Sequence, residues 1–256
     1  MDQGSLVAQY ATSANLTARI ALHQRCSTNP YGLQRWIFDR LALASGQRVL
    51  EVACGTGSLW LENHDRIPPL GIHVLSDSSI NMVATARSSV AHSSYVACAL
   101  PDLGFADESF GLVIANHILY HVAERERGLR DIRRVLRQGG SFVAATNGQG
   151  HLREILLLMS DFEIDYAGAS PPFTLENGEE QLHPVFEDVQ RHEYVDSLRI
   201  TDPELLLGYI ASVSARAKAV VETRGKEMRS AIETRIGREG AFYVTKSTGA
   251  FSARRE

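Results

Sequence analysis

The sequence predicts an α/β fold built around a parallel sheet, and three observations support that prediction. Residues 48–57 form a short apolar run that contains one acid, Glu51, and ends in Gly55-Thr-Gly57. A buried strand that leads into a tight glycine turn and then a helix is the first half of a βαβ unit. A second apolar run ends in Asp77, 20 residues after Gly57. With 256 residues, the chain is long enough for one such domain with a sizeable core.

The glycine turn is a candidate nucleotide site. Neither Gly55 nor Gly57 has a Cβ, so the backbone and a ligand can approach each other closely. A dinucleotide fingerprint carries a third glycine, G-x-G-x-x-G, but Trp60 stands at that position. The chain also has no Tyr-x-x-x-Lys pair. An NAD-type oxidoreductase is therefore disfavoured, although it remains one alternative.

Four stretches of the sequence resemble the class I S-adenosylmethionine-dependent methyltransferases. Glu51-Val-Ala-Cys-Gly-Thr-Gly57 resembles motif I of that family, E/D-x-G-x-G-x-G, with Ala53 in place of the first glycine. The other three are the run that begins Asp77-x-Ser79, the approach to the fourth strand at 105–113 and the turn at 137–140. Agreement between separate motifs is stronger evidence than any one of them. The chain is therefore identified as a member of this family.

The resemblance implies a Rossmann-like fold. Its seven-stranded mixed sheet has the order 3-2-1-4-5-7-6, strand 7 is antiparallel, and helices flank the sheet. A single methyltransferase domain in four segments is expected. These are an N-terminal helical lid (1–42), a cofactor-binding core (43–150), a variable substrate-side region (151–190) and the C-terminal half of the sheet (191–256).

Individual elements follow from the spacing of apolar residues and from turn formers. The predicted helices span 4–42 with a turn at 29–32, and then 57–65, 125–137, 151–162, 204–214 and 215–237; a further helix follows Asp77. The predicted strands span 48–54, 71–77, 94–99, 112–116, 141–146 and 189–198, and a last strand is divided between 241–246 and 249–253. Residues 138–140 are expected to end a helix, and residues 167–184 are rich in turn formers.

The resemblance assigns the cofactor, S-adenosyl-L-methionine, to residues at the ends of the first four strands. The glycine turn would lie along its amino-acid end and ribose, Asp77 would accept hydrogen bonds from the ribose diol, and Met82 would flank the adenine. Ala99 replaces the acid that usually follows the third strand, so main-chain groups near Ala99 or the Asp102 side chain would substitute. An alternative role for Asp77 is the N-cap of the next helix. The expected cofactor-binding residues are Glu51, Ala53, Gly55, Gly57, Asp77, Ser78, Met82, Ala99, Leu100 and Asn116.

Two histidines, His117 and His121, follow the fourth strand. Open α/β sheets bind ligands beyond the carboxyl ends of their strands, which puts this segment near the transferable methyl group. Histidine is suited to proton transfer near neutral pH, so either is a candidate catalytic base. The alternative is that they pack or orient the loop. On the lid, Tyr10, Arg19 and Tyr31 are candidate substrate-binding residues, with capping or surface roles as the alternative.

Composition and charge narrow the class of partner. The formal net charge of −4 provides no electrostatic footprint for nucleic acid. The three cysteines are unevenly spaced and indicate a reducing compartment, with no disulfide framework and no metal site. The N-terminus has no signal-peptide pattern, and the apolar run at 155–159 is too short to span a bilayer. A cytoplasmic protein without nucleic-acid or membrane partners is expected, with a homodimer as the candidate assembly.

The expected function is transfer of a methyl group from S-adenosylmethionine to a small-molecule acceptor. The sequence does not select among oxygen, nitrogen and carbon nucleophiles. Methylases of exocyclic amines in nucleic acids carry N/D-P-P-Y/F after the fourth strand, whereas this chain has Asn116-His-Ile-Leu119. A bacterial secondary metabolite is the expected acceptor, by analogy alone. The alternative is a protein that binds S-adenosylmethionine but transfers no methyl group, or that catalyses a non-methylating reaction.

Overall fold

The computed structural model describes residues 13–165 and 172–256, and strands and helices alternate along them as predicted. The strands are β1 (Arg48–Val52), β2 (Ile72–Asp77), β3 (Ser94–Ala97), β4 (Phe110–Ile114), β5 (Leu136–Asn147), β6 (Glu187–Ile200) and β7 (Phe242–Arg254). The helices are α1 (Ser13–Cys26), α2 (Leu33–Phe38), α3 (Ser58–Leu61), α4 (Ile80–Ser89), α5 (Arg125–Val135), α6 (Arg153–Asp161), α7 (Gly178–Leu182), α8 (Pro203–Ala211) and α9 (Ala215–Glu239), with a 3-10 turn at Leu119–His121. None of the helices in the described ranges combines the length and the apolar content that a membrane span requires.

The seven strands form one mixed sheet in the order β3-β2-β1-β4-β5-β7-β6. β1 pairs in parallel with β2 and β4, and the β2–β3 and β4–β5 pairs are also parallel. β7 runs antiparallel to β5, from Ser141 opposite Arg254 to Asn147 opposite Thr248. The predicted strand order and the antiparallel seventh strand are confirmed. The carboxyl ends of β1 to β5 therefore meet at one edge of the sheet, where parallel sheets hold their ligands.

Both faces of the central strands are covered by helices. On β1, Val49 belongs to the apolar core that includes Ile37 of α2 and Trp60 of α3. The next residue, Leu50, belongs to the core that includes Ile132 of α5. This alternation follows from the pleat of a strand, whose successive side chains point to opposite faces. A strand buried on both faces is apolar along its length, which is why the one acid in β1 needs an explanation.

The chain divides into two compact units. Of the described residues, one comprises 31–149, 172–194 and 248–256, and contains β1 to β5. The other comprises 13–30, 150–165 and 195–247, and α1, α6, α8 and α9 share a separate apolar core within it. The predicted segment boundaries at residues 42, 150 and 190 stay a prediction.

The lengths of α3 and β5 differ from the prediction. The helix predicted over 57–65 ends at Leu61, because the Asn63 side chain donates to the carbonyl of Leu59 (2.8 Å) and turns follow. β5 begins at Leu136 and includes residues 138–140, which were expected only to end a helix. The cause is the C-terminus: the Gly139 amide donates to the carbonyl of Arg255 (2.7 Å). Such long-range pairing leaves no local pattern in the sequence.

Smaller differences concern three further regions. β3 ends at Ala97, two residues earlier than predicted, because the Asp102 amide donates to the Ala99 carbonyl (3.0 Å) and closes a turn. β4 spans 110–114, so Asn116 lies beyond the strand. The short helix α7 was missed within the predicted loop at 167–184. It begins at Gly178, a poor helix former, where a Cβ would lie 2.3 Å from the Phe251 ring.

Candidate functional site

Two non-glycine residues at the carboxyl edge of the sheet have left-handed backbone conformations. Ala53, directly after β1, has a φ of 57°, and His117, shortly after β4, has a φ of 53°. β1 and β4 are neighbours in the sheet, so both residues lie at the same edge. A conformation of this kind costs about 1–3 kcal/mol and is concentrated at functional sites. The backbone therefore marks this edge as the candidate site.

The two glycines of the turn have different structural roles. Gly55 has a φ of 55°, and no heavy atom lies within 4 Å of the place where its Cβ would stand. Gly57 has a φ of 77°, and a Cβ there would lie 2.8 Å from Cγ2 of Val90. The first glycine thus leaves open space beside the backbone. The second allows α3 to begin close to the end of α4.

Asp77, at the end of β2, holds the glycine turn in place. Its Oδ2 accepts a hydrogen bond from the Gly55 amide (3.0 Å), and its Oδ1 accepts one from the Ser79 amide (2.8 Å). The N-cap of α4 is Ser79, whose Oγ accepts from the Met82 amide (3.4 Å), so the N-cap alternative for Asp77 is wrong. Ser78 is exposed. The carboxylate of Asp77 therefore connects two of the predicted cofactor-binding segments.

Glu51 is a buried acid whose partner is an indole. Its residue surface is 3% exposed, and Trp60 Nε1 donates to its Oε2 (2.6 Å). Burial raises the pKa of Glu51 to about 8, although the Trp60 and Asn116 side chains act in the opposite direction. Trp60 is fully buried, with its ring 6.1 Å from the Phe38 ring and 4.0 Å from the His73 ring. From the sequence, Trp60 served only as evidence against a dinucleotide site, and no local pattern indicated this contact.

Asn116 places a buried donor at the same edge. Its Oδ1 accepts from the Ala145 amide (3.2 Å) of β5. Its Nδ2 is buried near enough to Glu51 to lower the pKa of that acid, but it forms no hydrogen bond of normal geometry within the described residues. A buried donor without a well-formed bond is a position at which a ligand acceptor can bind. Asn116 therefore fits a role in ligand contact.

Tyr120 lies between the two candidate bases. Its ring centroid is 6.4 Å from that of His117 and 4.4 Å from that of His121. The His117 amide donates to the Ala145 carbonyl (2.8 Å), which anchors this residue beside β5. Burial lowers the pKa of His121 below its ordinary value, so the neutral form that can accept a proton is favoured. Tyr120 was not singled out from the sequence, because its importance depends on this ring packing.

The loop after β3 carries no acid directed at a ligand within the described residues. Ala99 is exposed, and Leu100 is half-buried. Asp102, the predicted substitute, has a side chain that is 75% exposed and accepts from Arg127 Nη2 (2.5 Å). The Leu103 amide donates to Oδ2 of Asp131 (2.8 Å), which fixes the loop against α5. Main-chain groups near Ala99 thus remain the predicted contact.

The predicted substrate-binding residues have structural partners. The Tyr31 hydroxyl donates to Oδ2 of Asp39 (2.8 Å). In the other unit, Arg19 Nη2 donates to the carbonyl of Ser212 (2.8 Å), the C-cap residue of α8. A cation at a helix C-terminus is favourable, so capping accounts for Arg19. Tyr10 lies outside the described residues. A substrate role for these three stays a prediction.

The carboxyl edge therefore brings the turn that contains Glu51, Ala53 and Gly55 together with Asp77 and Asn116, which are distant in the sequence. In the portion of the chain that the structure describes, no group of three or more His, Cys, Asp or Glu side chains is placed to hold a metal ion. The arrangement offers hydrogen-bond acceptors on Asp77, a donor on Asn116 and open space at Gly55. Such a set suits a polar organic ligand that lies along the turn.

Residues 50–144 match the model of a family described as a methyltransferase domain. Among curated proteins, the ubiquinone/menaquinone biosynthesis C-methyltransferase UbiE of Xanthomonas campestris is 34% identical over 113 residues. That alignment covers 42% of this chain and 45% of the relative, so the chain matches less than half the length of that protein. The family match at residues 50–144 includes the glycine turn.

Solved structures share the fold at low sequence identity. The YcgJ protein of Bacillus subtilis has a TM-score of 0.60 and 14% identity, over 87% of this chain and 98% of that one. Phosphoethanolamine N-methyltransferase 2 of Haemonchus contortus, in complex with S-adenosyl-L-methionine, has a TM-score of 0.60 and 17% identity. That likeness covers 98% of this chain and 59% of the other. These similarities concern the architecture.

Proposed function

We propose that the chain, whose residues 50–144 match a family described as a methyltransferase domain, is a class I S-adenosylmethionine-dependent methyltransferase that transfers the methyl group of its cofactor to a small-molecule acceptor. The product of the donor is S-adenosylhomocysteine. The observation that carries the proposal is the contact of Asp77 with the Gly55 amide, at a sheet edge where Ala53 and His117 are strained. This combination supports a preorganised nucleotide site.

The residues present fit the proposed cofactor. Open space at Gly55 suits a ligand that runs close to the backbone. The Asp77 carboxylate is an acceptor for the two hydroxyls of a ribose, and each of its oxygens has further lone pairs beyond the amide bonds it makes. The Asn116 Nδ2, whose interaction with Glu51 lacks normal hydrogen-bond geometry, is a buried donor that a ligand oxygen would satisfy. Ser78, Met82, Ala99 and Leu100 border this region in sequence and keep their predicted roles within the proposal.

The chain itself would contribute to catalysis by aligning the acceptor with the methyl group and by accepting a proton from it. The cofactor supplies an electrophilic methyl group, and in-line displacement requires that the acceptor be held opposite the leaving sulfur. A hydroxyl or phenol acceptor has to lose a proton, for which His117 or His121 is the proposed base. Burial favours the neutral form of His121, as this role requires. An amine that arrives unprotonated would need no base.

A small acceptor is supported by two features of the chain. The net charge of −4 does not favour binding to nucleic acid. The segment after β4, Asn116-His-Ile-Leu119, lacks the motif of exocyclic-amine methylases. The named relative UbiE is a C-methyltransferase of quinone biosynthesis, and a carbon nucleophile is one of the three acceptor classes proposed here. By analogy, a bacterial secondary metabolite remains the proposed methyl acceptor.

The first test is calorimetric titration of the purified protein with S-adenosylmethionine, S-adenosylhomocysteine and NADH, each alone. We expect saturable binding of both sulfur nucleotides and none of NADH. Binding of NADH alone would overturn the assignment. If both sulfur nucleotides bind but no acceptor from a broad small-molecule library is methylated, the non-methylating alternative becomes the better account.

Alanine variants at His117 and His121 test the proposed base. With a hydroxyl acceptor at saturating cofactor, loss of a general base is expected to lower kcat by roughly 100-fold or more. In the variant that lacks the base, kcat should also no longer fall at low pH, because that fall reports protonation of the base. His64→Ala, a change at an exposed histidine, is the matched control and should turn over normally. Normal turnover in both test variants would exclude the two histidines as bases.

A further inference from the structure

Glu51 is a buried acid that forms no ion pair with any described residue. The ion pairs formed among residues 13–165 and 172–256 do not include it. Asp196, the comparably buried acid of the other unit, has a side chain that is 0% exposed and is paired with Lys246. Burial of an ionised carboxylate is costly unless a counter-charge is present. Glu51 therefore lacks the compensation that Asp196 has.

Among the described residues, the groups that act on Glu51 add no positive charge. Its hydrogen-bond donor is the neutral indole of Trp60, and Asn116 is a neutral amide. The carboxylate of Asp77 repels an ionised Glu51 and so raises its pKa. Burial, and after it the charge of Glu51, raises the pKa of the Cys54 thiol. His73, whose ring is 4.0 Å from that of Trp60, has its pKa lowered to about 4 by burial and is neutral at pH 7. In the free protein Glu51 accordingly holds a proton at pH 7, since its pKa lies near 8.

Resting on the proposed function, we infer that Glu51 gives up this proton when the cationic methyl donor binds and keeps it when the neutral-sulfur product binds. One O–H bond breaks, the proton passes to the solvent buffer, and the carboxylate left behind balances the charge of the sulfonium. The same residue then favours the donor over the product by charge. Glu51 is thus assigned as a specificity-determining residue.

The mechanism requires proximity but no direct contact. Charges a few ångströms apart in a poorly solvated site interact far more strongly than in water. Glu51 is followed within four residues by Gly55, where the turn leaves open space for a ligand. Donor and product have the same amino, carboxylate and ribose groups. Any difference between them in proton release therefore reports the sulfonium alone.

The test is calorimetry of the whole protein at pH 7 in buffers with different enthalpies of ionisation. The slope of the observed enthalpy against the buffer enthalpy counts the protons exchanged on binding. We expect S-adenosylmethionine to release about one proton more than S-adenosylhomocysteine does. The affinity for the donor relative to the product should also rise roughly tenfold between pH 7 and pH 9.

Glu51→Gln keeps the shape of the side chain and an acceptor for Trp60 but cannot ionise. In this variant the donor and product should release equal numbers of protons, and their affinity ratio should not depend on pH. Glu222→Gln, at an acid of α9 whose side chain is 64% exposed, should behave like the unmodified protein. If Glu51→Gln fails to fold, the unmodified protein still tests the proposal, because equal proton release for donor and product there would overturn it.

The outcomes separate the two claims. Absence of binding by either sulfur nucleotide would contradict the proposed function. Binding with equal proton release for donor and product in the unmodified protein would overturn the role of Glu51 and leave the cofactor assignment intact. A donor–product difference that persists in Glu51→Gln would assign the proton to another group and would also overturn it.

Discussion

Replacement of Asp196 by alanine is expected to lower the free energy of unfolding by about 3–5 kcal/mol. The carboxylate is fully buried and is paired with Lys246, whose side chain is 7% exposed. It also accepts from Ser27 Oγ (2.7 Å) and from the Asn29 amide (3.0 Å). Alanine would leave the lysine in the interior without this carboxylate and would release the turn that follows α1. Urea denaturation of variant and parent measures the difference.

Two controls give this prediction its specificity. Asp39→Ala removes an acid that is also paired, with Arg66, but whose side chain is 34% exposed. That change should cost less than about 1 kcal/mol, because solvent screens exposed pairs. Combining Asp196→Ala with Lys246→Met should restore part of the stability, since no buried charge then remains unbalanced. Equal losses for Asp39→Ala and Asp196→Ala would contradict the interpretation.

The effect of Asp196 should depend on pH with a definite sign. Burial raises the pKa of this acid, but the hydrogen bonds from Lys246 and Ser27 outweigh burial, and the pKa lies below its ordinary value. A carboxyl group with a lowered folded-state pKa stabilises the protein above its ordinary pKa, and this contribution disappears as the pH falls through the lower value. The difference between parent and Asp196→Ala should therefore be constant near neutral pH and shrink in acid.

Replacement of Asp77 by alanine is expected to weaken binding of S-adenosylmethionine by roughly 100-fold or more, since hydrogen bonds to a charged group contribute about 1.5–3 kcal/mol each. Two effects combine. The proposed contact with the ribose is lost, and the amides of Gly55 and Ser79 lose the carboxylate that positions them. Calorimetric titration measures the change in Kd, with circular dichroism as the check that the variant is folded.

Asp102→Ala is the matched control for Asp77. Asp102 is also an acid beyond the end of a strand at this edge, but its side chain is exposed and paired with Arg127. Its removal should change the cofactor affinity by less than about twofold, as expected for an exposed pair. If Asp77→Ala bound the cofactor as tightly as the parent, Asp77 would have no place in the site. A large loss in Asp102→Ala would instead identify Asp102 as the acid that replaces the usual one after β3 on the adenine side.

Strand order and the position of Asp77 could be predicted because each depends on local pattern or on a motif. The apolar run of β1, the glycines after it and the acid at the end of β2 stand in the sequence as they stand in the fold. The antiparallel pairing of β7 with β5 came from the resemblance and is confirmed. Element boundaries were less accurate, as at β5, because partners such as Arg255 lie more than a hundred residues away.

The candidate site was predictable as a set of positions but not as a set of interactions. Gly55 and Gly57 could be singled out because only glycine lacks a Cβ, and their positive φ angles require that freedom. The partner of Glu51, by contrast, depends on how α3 packs against β1, and nothing in the spacing of residues 51 and 60 specifies a hydrogen bond. The same holds for Tyr31 and Arg19, whose polar ends are bound by Asp39 and Ser212.

The sequence by itself determined the fold class, the glycine turn and the acid at the end of β2, because backbone geometry and strand periodicity are local properties. The tertiary structure alone decided which polar groups are buried and what they contact. It placed Trp60 against Glu51, Tyr120 between two histidines and Lys246 against Asp196. Burial and charge compensation are set by neighbours distant in sequence, and they control the pKa of Glu51 and His121 on which the proposed chemistry depends.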